Sequence, residues 1–118
     1  MKTHKDLDVW KLSVDLVTLV YKLTANFPKD EIFGLTNQIR RASVSIPSNI
    51  AAGAARNSTK EFIHFLHISL GSQQEIDTQF LIAKNLKYIT EEQYIEINLK
   101  METVGKLLNG LIKYLKSK

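Results

Sequence analysis

The sequence predicts an all-α protein, an up-down-up-down antiparallel four-helix bundle that forms a single domain over residues 1–118. Apolar residues recur at helical spacing through four long segments, and the connections between these segments are short. Pro and Gly together number only seven, too few for a turn-rich β-sandwich. The length of 118 residues and the apolar content of 44% fit one globular domain with its own core.

Helix one is predicted over about residues 7–25 and carries two apolar stripes. The first, spaced 4-3-4, consists of Leu12, Leu16, Leu19 and Leu23. The second lies roughly 160° around the helix from the first and consists of Trp10, Val14, Val17 and Tyr21. Together they span about 220°, whereas the apolar arc of a surface helix is about 100° wide. The surplus predicts that the second stripe is an interface with another copy of the chain.

Helix two is predicted over about residues 30–55, because Phe27-Pro28 breaks the chain just before it. Asp30 and Glu31 suit its positive N-terminal end. Pro47 lies inside the helix and frees a carbonyl one turn earlier, which predicts a kink. The residues expected on its buried side are Ile32, Leu35, Ile39, Ala42, Ile46 and Gly53.

Small residues dominate the second half of helix two. Nine of the fourteen residues between positions 42 and 55 are Ala, Gly or Ser. Small side chains let another backbone come close, and nearby hydroxyl and amide groups can satisfy the carbonyls that Pro47 frees; these are Ser43, Ser45, Ser48 and Asn49. Two interpretations stay open: close helix packing around the kink, or contact with a ligand or partner there.

Helices three and four, predicted over about residues 58–88 and 90–116, each begin with a capping box. The boxes pair Ser58 with Glu61 and Thr90 with Gln93. Gly71-Ser72, in the middle of helix three, predicts the close approach of another helix. The expected seam of helix four is Ile97, Met101, Val104, Leu108, Leu111 and Leu115.

The sequence argues against an enzyme, a cofactor and a metal. The absence of cysteine excludes disulfide scaffolds, thiolate zinc sites and cysteine nucleophiles. Glu61 and His64 have the Glu-x-x-His spacing of di-iron bundles, but such a site needs two of these motifs and two further carboxylates. There is no apolar run of about 20 residues for a membrane span. The charged start MKTHKDLD leads into no signal-peptide core, so we expect a cytoplasmic protein.

Positive charge is concentrated in the middle and at the end of the chain. The formal net charge is +4, and all three arginines lie in the middle third. Clustered Arg and Lys favour phosphate binding, so the candidates for contact with RNA or DNA backbone are Arg40, Arg41, Arg56 and Lys60, with a second patch of Lys113, Lys116 and Lys118. The alternative for Arg40 and Arg41 is an ion pair with an acid such as Asp77 or Glu75, and a modest net charge also serves solubility.

The segment over residues 27–53 resembles a known family. It reads FPKDEIFGLTNQIRRASVSIPSNIAAG, and two flanking pieces agree with it: Asp6 to Trp10, and Gly71-Ser72 with Glu75 and Gln79. These residues resemble the four-helix-bundle proteins encoded in intervening sequences of 23S ribosomal RNA genes, sometimes labelled as a ribosomal protein. They are also similar to the accessory protein of diversity-generating retroelements.

The resemblance implies a homopentameric ring with a central channel and a basic surface suited to RNA or DNA. It implies no enzymatic activity. The alternative is a protein-interaction scaffold that presents helices to a partner protein, such as a polymerase, without binding nucleic acid. The family pattern usually has Glu where this chain has Ala52. Without this carboxylate, an arginine that would otherwise form an ion pair with it is freer to bind phosphate.

Overall fold

The all-α prediction is confirmed by four helices. The computed structural model describes residues 3–4 and 7–118, so Asp6 and the other N-terminal residues of the expected domain (1, 2 and 5) lie outside the described residues. The helices are α1 (Asp8–Thr24), α2 (Leu35–Ala54), α3 (Thr59–Asn85) and α4 (Glu91–Lys116). A short 3-10 helix over Lys29–Glu31 precedes α2, and the described part of the chain contains no strand.

The helices form an elongated bundle with two distinct ends. α1 packs against α2 and α4, and α3 packs against the same two helices. The bundle measures 45 × 24 × 20 Å. One end holds the N-termini of α1 and α3 with the C-termini of α2 and α4, because short connections make consecutive helices antiparallel. The fully buried core includes Leu16, Ile39, Ile46, Ile50, Leu66, Ile76, Phe80, Ile97 and Leu108.

The prediction that helix two begins near residue 30 is wrong, because α2 begins at Leu35. Glu31 belongs to the 3-10 helix, and its side chain accepts a hydrogen bond from the Leu35 amide at 3.2 Å. It therefore satisfies a free N–H at the start of α2 from outside the helix. Ile32, expected on the buried side, lies in the intervening turn and is 50% exposed.

Pro47 lies inside α2, and polar side chains satisfy carbonyls around it. Asn49 bonds a different carbonyl from the one predicted: its Nδ2 donates to the Ser45 carbonyl at 2.8 Å, whereas Pro47 frees the carbonyl of Ser43. A second donor comes from α3, where the buried Ser69 hydroxyl donates to the Ile46 carbonyl at 2.8 Å. The helix thus passes through the proline with help from its neighbour.

Three details of α3 and α4 differ from the predicted pattern. At Ser58 the structure has one of the two capping-box bonds, from the Glu61 amide to the Ser58 hydroxyl, whereas the box at Thr90 is complete. Gly71 is exposed, and a Cβ at this position would meet nothing within 4 Å, so no helix comes close there. On α4, Ile112 is buried and Leu111 is only half-buried, because the seam continues from Leu108 by four residues instead of three.

Candidate nucleic-acid interface

The fold brings two separate basic segments of the sequence to one end of the bundle. Arg56 follows the C-terminus of α2 and Lys60 lies in the first turn of α3. The last turns of α4 end at the same end of the bundle. We call this surface the basic end and define it by Arg56, Lys60, Lys113, Lys116 and Lys118, all of which are exposed.

The two halves of the basic end lie on neighbouring helices. The Gln73 side-chain amide of α3 donates to the Met101 carbonyl of α4 at 3.3 Å, which fixes the register of these antiparallel helices. Counting thirteen residues from this contact toward the basic end reaches Lys60 on α3 and Tyr114 on α4. These two residues therefore lie at the same height along the bundle. The α4 lysines and Lys60 thus lie at a similar height on neighbouring helices.

None of these cations is paired with a carboxylate of the residues that the structure describes. Among the described residues, the two ion pairs are Lys84–Glu91 and Lys106–Glu102, and neither includes a member of the basic end. Its neighbours include two exposed acids, Asp8 and Glu61, in the first turns of α1 and α3. Cations outnumber these acids, so the field at this end attracts anions.

Two members of the basic end rest on aromatic rings that the sequence reasoning did not connect with them. The Arg56 guanidinium lies 5.0 Å from the centre of the Phe65 ring, and Lys118 Nζ lies 5.0 Å from that of Tyr114. Such cation–π contacts hold a charge in place while leaving its other side open. The spacing of four residues between Tyr114 and Lys118 is a signal that could have revealed this pair. The contact between Arg56 and Phe65 depends on the tertiary fold.

Arg40 and Arg41 lie away from the basic end and have different environments. Fifteen helical positions separate Arg41 from Arg56, which corresponds to about 22 Å along α2. Arg40 is half-buried against α1: its Nε donates to Thr24 Oγ1 at 2.9 Å, and its guanidinium lies 4.6 Å from the centre of the Tyr21 ring. Arg40 is thus held by α1 through a hydroxyl and a ring.

The interpretation of Arg40 and Arg41 as ion-pair partners of Asp77 or Glu75 is wrong. Neither arginine forms an ion pair within the described part of the chain. Arg41 is exposed and lines an open polar groove between α2 and α3, together with Glu75. The arginines face different surroundings because adjacent helical residues project about 100° apart.

The second stripe of α1 is only partly covered within the chain. Trp10 and Val17 are half-buried, while Val14 is 36% exposed and Tyr21 is 43% exposed. The buried face of α1 is made instead by Val9, Leu16, Leu19, Val20 and Leu23. The stripe predicted as an interface therefore still presents apolar surface to the outside.

Neither a metal cluster nor a membrane span is found among the described residues. Glu61, His64 and His67 are exposed on α3. Across the described residues, no group of three or more His, Cys, Asp or Glu side chains is arranged to hold a metal ion. Within the same residues, no helix is both long and apolar enough to cross a membrane.

The fold and the basic end together define a small four-helix-bundle protein with five exposed cations at one end. The chain belongs to the family of 23S rRNA-intervening sequence proteins, whose family model matches residues 5–110. It is similar to a solved structure of a protein with unknown function from the S23 ribosomal protein family of Bacteroides thetaiotaomicron. The two chains are 29% identical with a TM-score of 0.81, and the match covers 89% of this chain and 95% of the other. No curated protein matches the chain.

Proposed function

We propose that this protein is a non-enzymatic, oligomeric bundle that binds the phosphate backbone of RNA or DNA through its basic end. The observation that carries the proposal is that the α2–α3 turn and the end of α4 place five exposed cations at one end of the bundle, none of them ion-paired with a described residue. Backbone contacts of this kind give affinity with little sequence preference.

The residue at position 52 supports the assignment of Arg56. Ala52 lies in the last turn of α2, four residues before Arg56. A glutamate there, as the family usually has, would place a carboxylate about one turn from the guanidinium. In this chain Arg56 keeps its charge for a ligand.

A ring-shaped homo-oligomer, a homopentamer by family resemblance, completes the proposal. Its support within the chain is the exposed second stripe of α1, especially Val14 and Tyr21. A ring repeats the basic end around its axis, and such repetition raises avidity even where each contact is weak.

The test is a salt series of binding to a labelled RNA hairpin and to a DNA duplex of equal length. We expect the Kd to weaken steeply with salt, with a log–log slope of about 0.9 for each phosphate contact on duplex DNA. The triple variant Lys60→Gln/Lys113→Gln/Lys116→Gln should lower this slope by about two to three. A preference for the RNA would favour a role linked to ribosomal RNA.

A matched control removes three cations elsewhere. Lys22, Lys87 and Lys100 are exposed and lie outside the basic end. The variant Lys22→Gln/Lys87→Gln/Lys100→Gln has the same net charge as the first triple variant and should keep a slope close to that of the unmodified protein. Equal losses in both variants would show that net charge alone drives binding and would overturn the assignment of the basic end. Ala52→Glu should weaken binding on its own.

Exposed apolar side chains favour a second candidate function, a scaffold that binds another protein. Phe33 is 92% exposed, and Leu86, Ile95 and Leu99 are each more than half exposed. Large exposed apolar groups are typical of protein interfaces when they cluster. Absence of nucleic-acid binding at low salt, with a defined protein bound instead, would favour this function over the first.

A further inference from the structure

A cleft at the opposite end of the bundle from the basic end combines apolar walls with two cations. It has a volume of about 330 Å³ and lies between the end of α1 and the start of α2. Its apolar wall includes Phe27, Pro28 and Ile32, and its polar groups come from Thr24, Lys29, Thr36 and Arg40. We call it the Arg40 cleft. Mixed lining of this kind, with few polar groups on an apolar wall, is typical of small-molecule sites.

Arg40 is positioned in this cleft by bonds that leave its charge unpaired. Its Nε donates to Thr24 Oγ1, and the Thr24 hydroxyl in turn donates to the Val20 carbonyl at 2.7 Å. The Tyr21 ring supports one face of the guanidinium. Within the described residues, the two terminal nitrogens of Arg40 have no hydrogen-bond or carboxylate partner. A guanidinium fixed in this way offers a rigid fork that matches the two oxygens of a carboxylate.

Thr36 adds a second polar group to the lining of the cleft. It is only 3% exposed, yet it lines the cleft. Its hydroxyl forms no hydrogen bond with any of the residues that the structure describes, and it is not sealed from the cleft, since Gln79 Oε1 is the one buried side-chain atom without a partner among those residues. A ligand oxygen in the cleft would give this hydroxyl its partner.

The charge of the residues that line the cleft favours a negatively charged ligand. Lys29 and Arg40 line it, and none of its lining residues is acidic. The nearby Glu31 is engaged elsewhere, because its carboxylate accepts bonds from the Leu35 amide and the Tyr88 hydroxyl. The cleft therefore has an excess of positive charge beside an apolar wall.

We propose that the Arg40 cleft binds a small amphipathic carboxylate, with the carboxylate on Arg40 and Thr36 and the apolar body against Phe27 and Ile32. This site is separate from the basic end and does not depend on nucleic-acid binding. It gives Arg40 a role that the adjacent Arg41 does not share, because Arg41 lines a different groove.

The test is a titration of the isotope-labelled protein with sodium octanoate, followed by nuclear magnetic resonance. We expect saturable binding with a Kd of about 1 mM or tighter, and shifts concentrated at Thr24, Lys29, Ile32 and Thr36. Octanol and octylammonium, which keep the chain but lack the carboxylate, should bind at least about tenfold more weakly. Octyl phosphate distinguishes the head groups, and tighter binding of it than of octanoate would overturn the carboxylate assignment.

Two matched pairs of variants locate the site. Arg40→Gln should weaken octanoate binding about tenfold or more, while Arg41→Gln, with the same change in charge on the next residue, should leave it unchanged. Ile32→Glu should abolish binding, and Phe33→Glu, at an exposed position that does not line the cleft, should not. Ile32 is half exposed, so its variant tests the site if Arg40→Gln fails to fold. Equal effects within either pair, or no saturation at about ten times the expected Kd, would overturn the proposal.

Discussion

At Gly53 the backbone of α2 lies directly against α3. A Cβ on this residue would stand 2.7 Å from Phe65 Cβ and 3.0 Å from Phe62 Cδ1. Of the two interpretations of the small-residue segment, close helix packing therefore holds at this position. Gly53 needs to be small because of what packs on it, and no turn or positive φ is involved.

Gly53→Ala should lower the free energy of unfolding by about 1–3 kcal/mol, because the added methyl group forces α2 and α3 apart. Gly71→Ala is the control, since its Cβ would meet nothing within 4 Å. That substitution should raise stability by about 0.5–1 kcal/mol through a better helix propensity. Urea unfolding of both variants measures the difference, and a stable Gly53→Ala protein would contradict the packing argument.

Tyr88 connects stability to alkaline pH. Its hydroxyl donates to Glu31 Oε2 at 2.9 Å, and this bond, followed by burial and the negative charges of Glu31 and Asp30, raises the pKa of Tyr88 above 10.0. A raised pKa in the folded state means that the interaction contributes fully below pH 10.0 and is lost as the pH rises through the raised value.

Tyr88→Phe should therefore be less stable than the unmodified protein at neutral pH. The difference should shrink above about pH 10, where Tyr88 begins to ionise in the unfolded chain while the folded state still holds its proton. Urea unfolding across this range measures it. Tyr114→Phe, which removes an exposed hydroxyl on α4, should show neither effect. A stability difference for Tyr88→Phe that stays constant to high pH would rule out the hydrogen bond to Glu31 as its cause.

At the scale of the elements, α2 shows how a helix with an internal proline is supported by its neighbour. The Ser69 hydroxyl of α3 crosses to the Ile46 carbonyl, immediately before Pro47, at a fully buried position. Ser69→Ala should lower the free energy of unfolding by about 1 kcal/mol. Thr78→Ala, which removes an exposed bond within α3, should change it by less than about 0.5 kcal/mol. Equal losses would show that the contact with α2 contributes nothing.

Features that depend on residues close in the sequence were predicted better than features that depend on contacts between distant residues. The box at Thr90 depends only on residues three apart, and it forms completely. The start of α2 could not be predicted, since Glu31 is held by Tyr88, which lies 57 residues later in the chain. Helical periodicity also cannot show that the seam of α4 shifts from Leu111 to Ile112, because both spacings fit one face.

At the scale of the whole molecule, the candidate residues were found by composition and their grouping was determined by topology. The sequence places Lys60 and Lys113 in separate patches, and antiparallel packing of α3 and α4 brings both to one end of the bundle. The same topology separates Arg41 from this surface and places Arg40 in a cleft with Thr36. The distribution of charge along a sequence does not show which helix ends meet, so the grouping of these cations could be determined only from the fold.

The assembly that we propose for the whole molecule rests on the exposed stripe of α1. We expect light scattering to give about 68 kDa, the mass of five chains of 13.5 kDa each. Val14→Lys should reduce this to the mass of one chain, because it places a charge in an apolar interface. Asp15→Lys is the control: it changes the charge more, but it lies on the polar side of α1. A mass of 13.5 kDa for the unmodified protein would overturn the oligomer, and equal dissociation of both variants would move the interface away from this stripe.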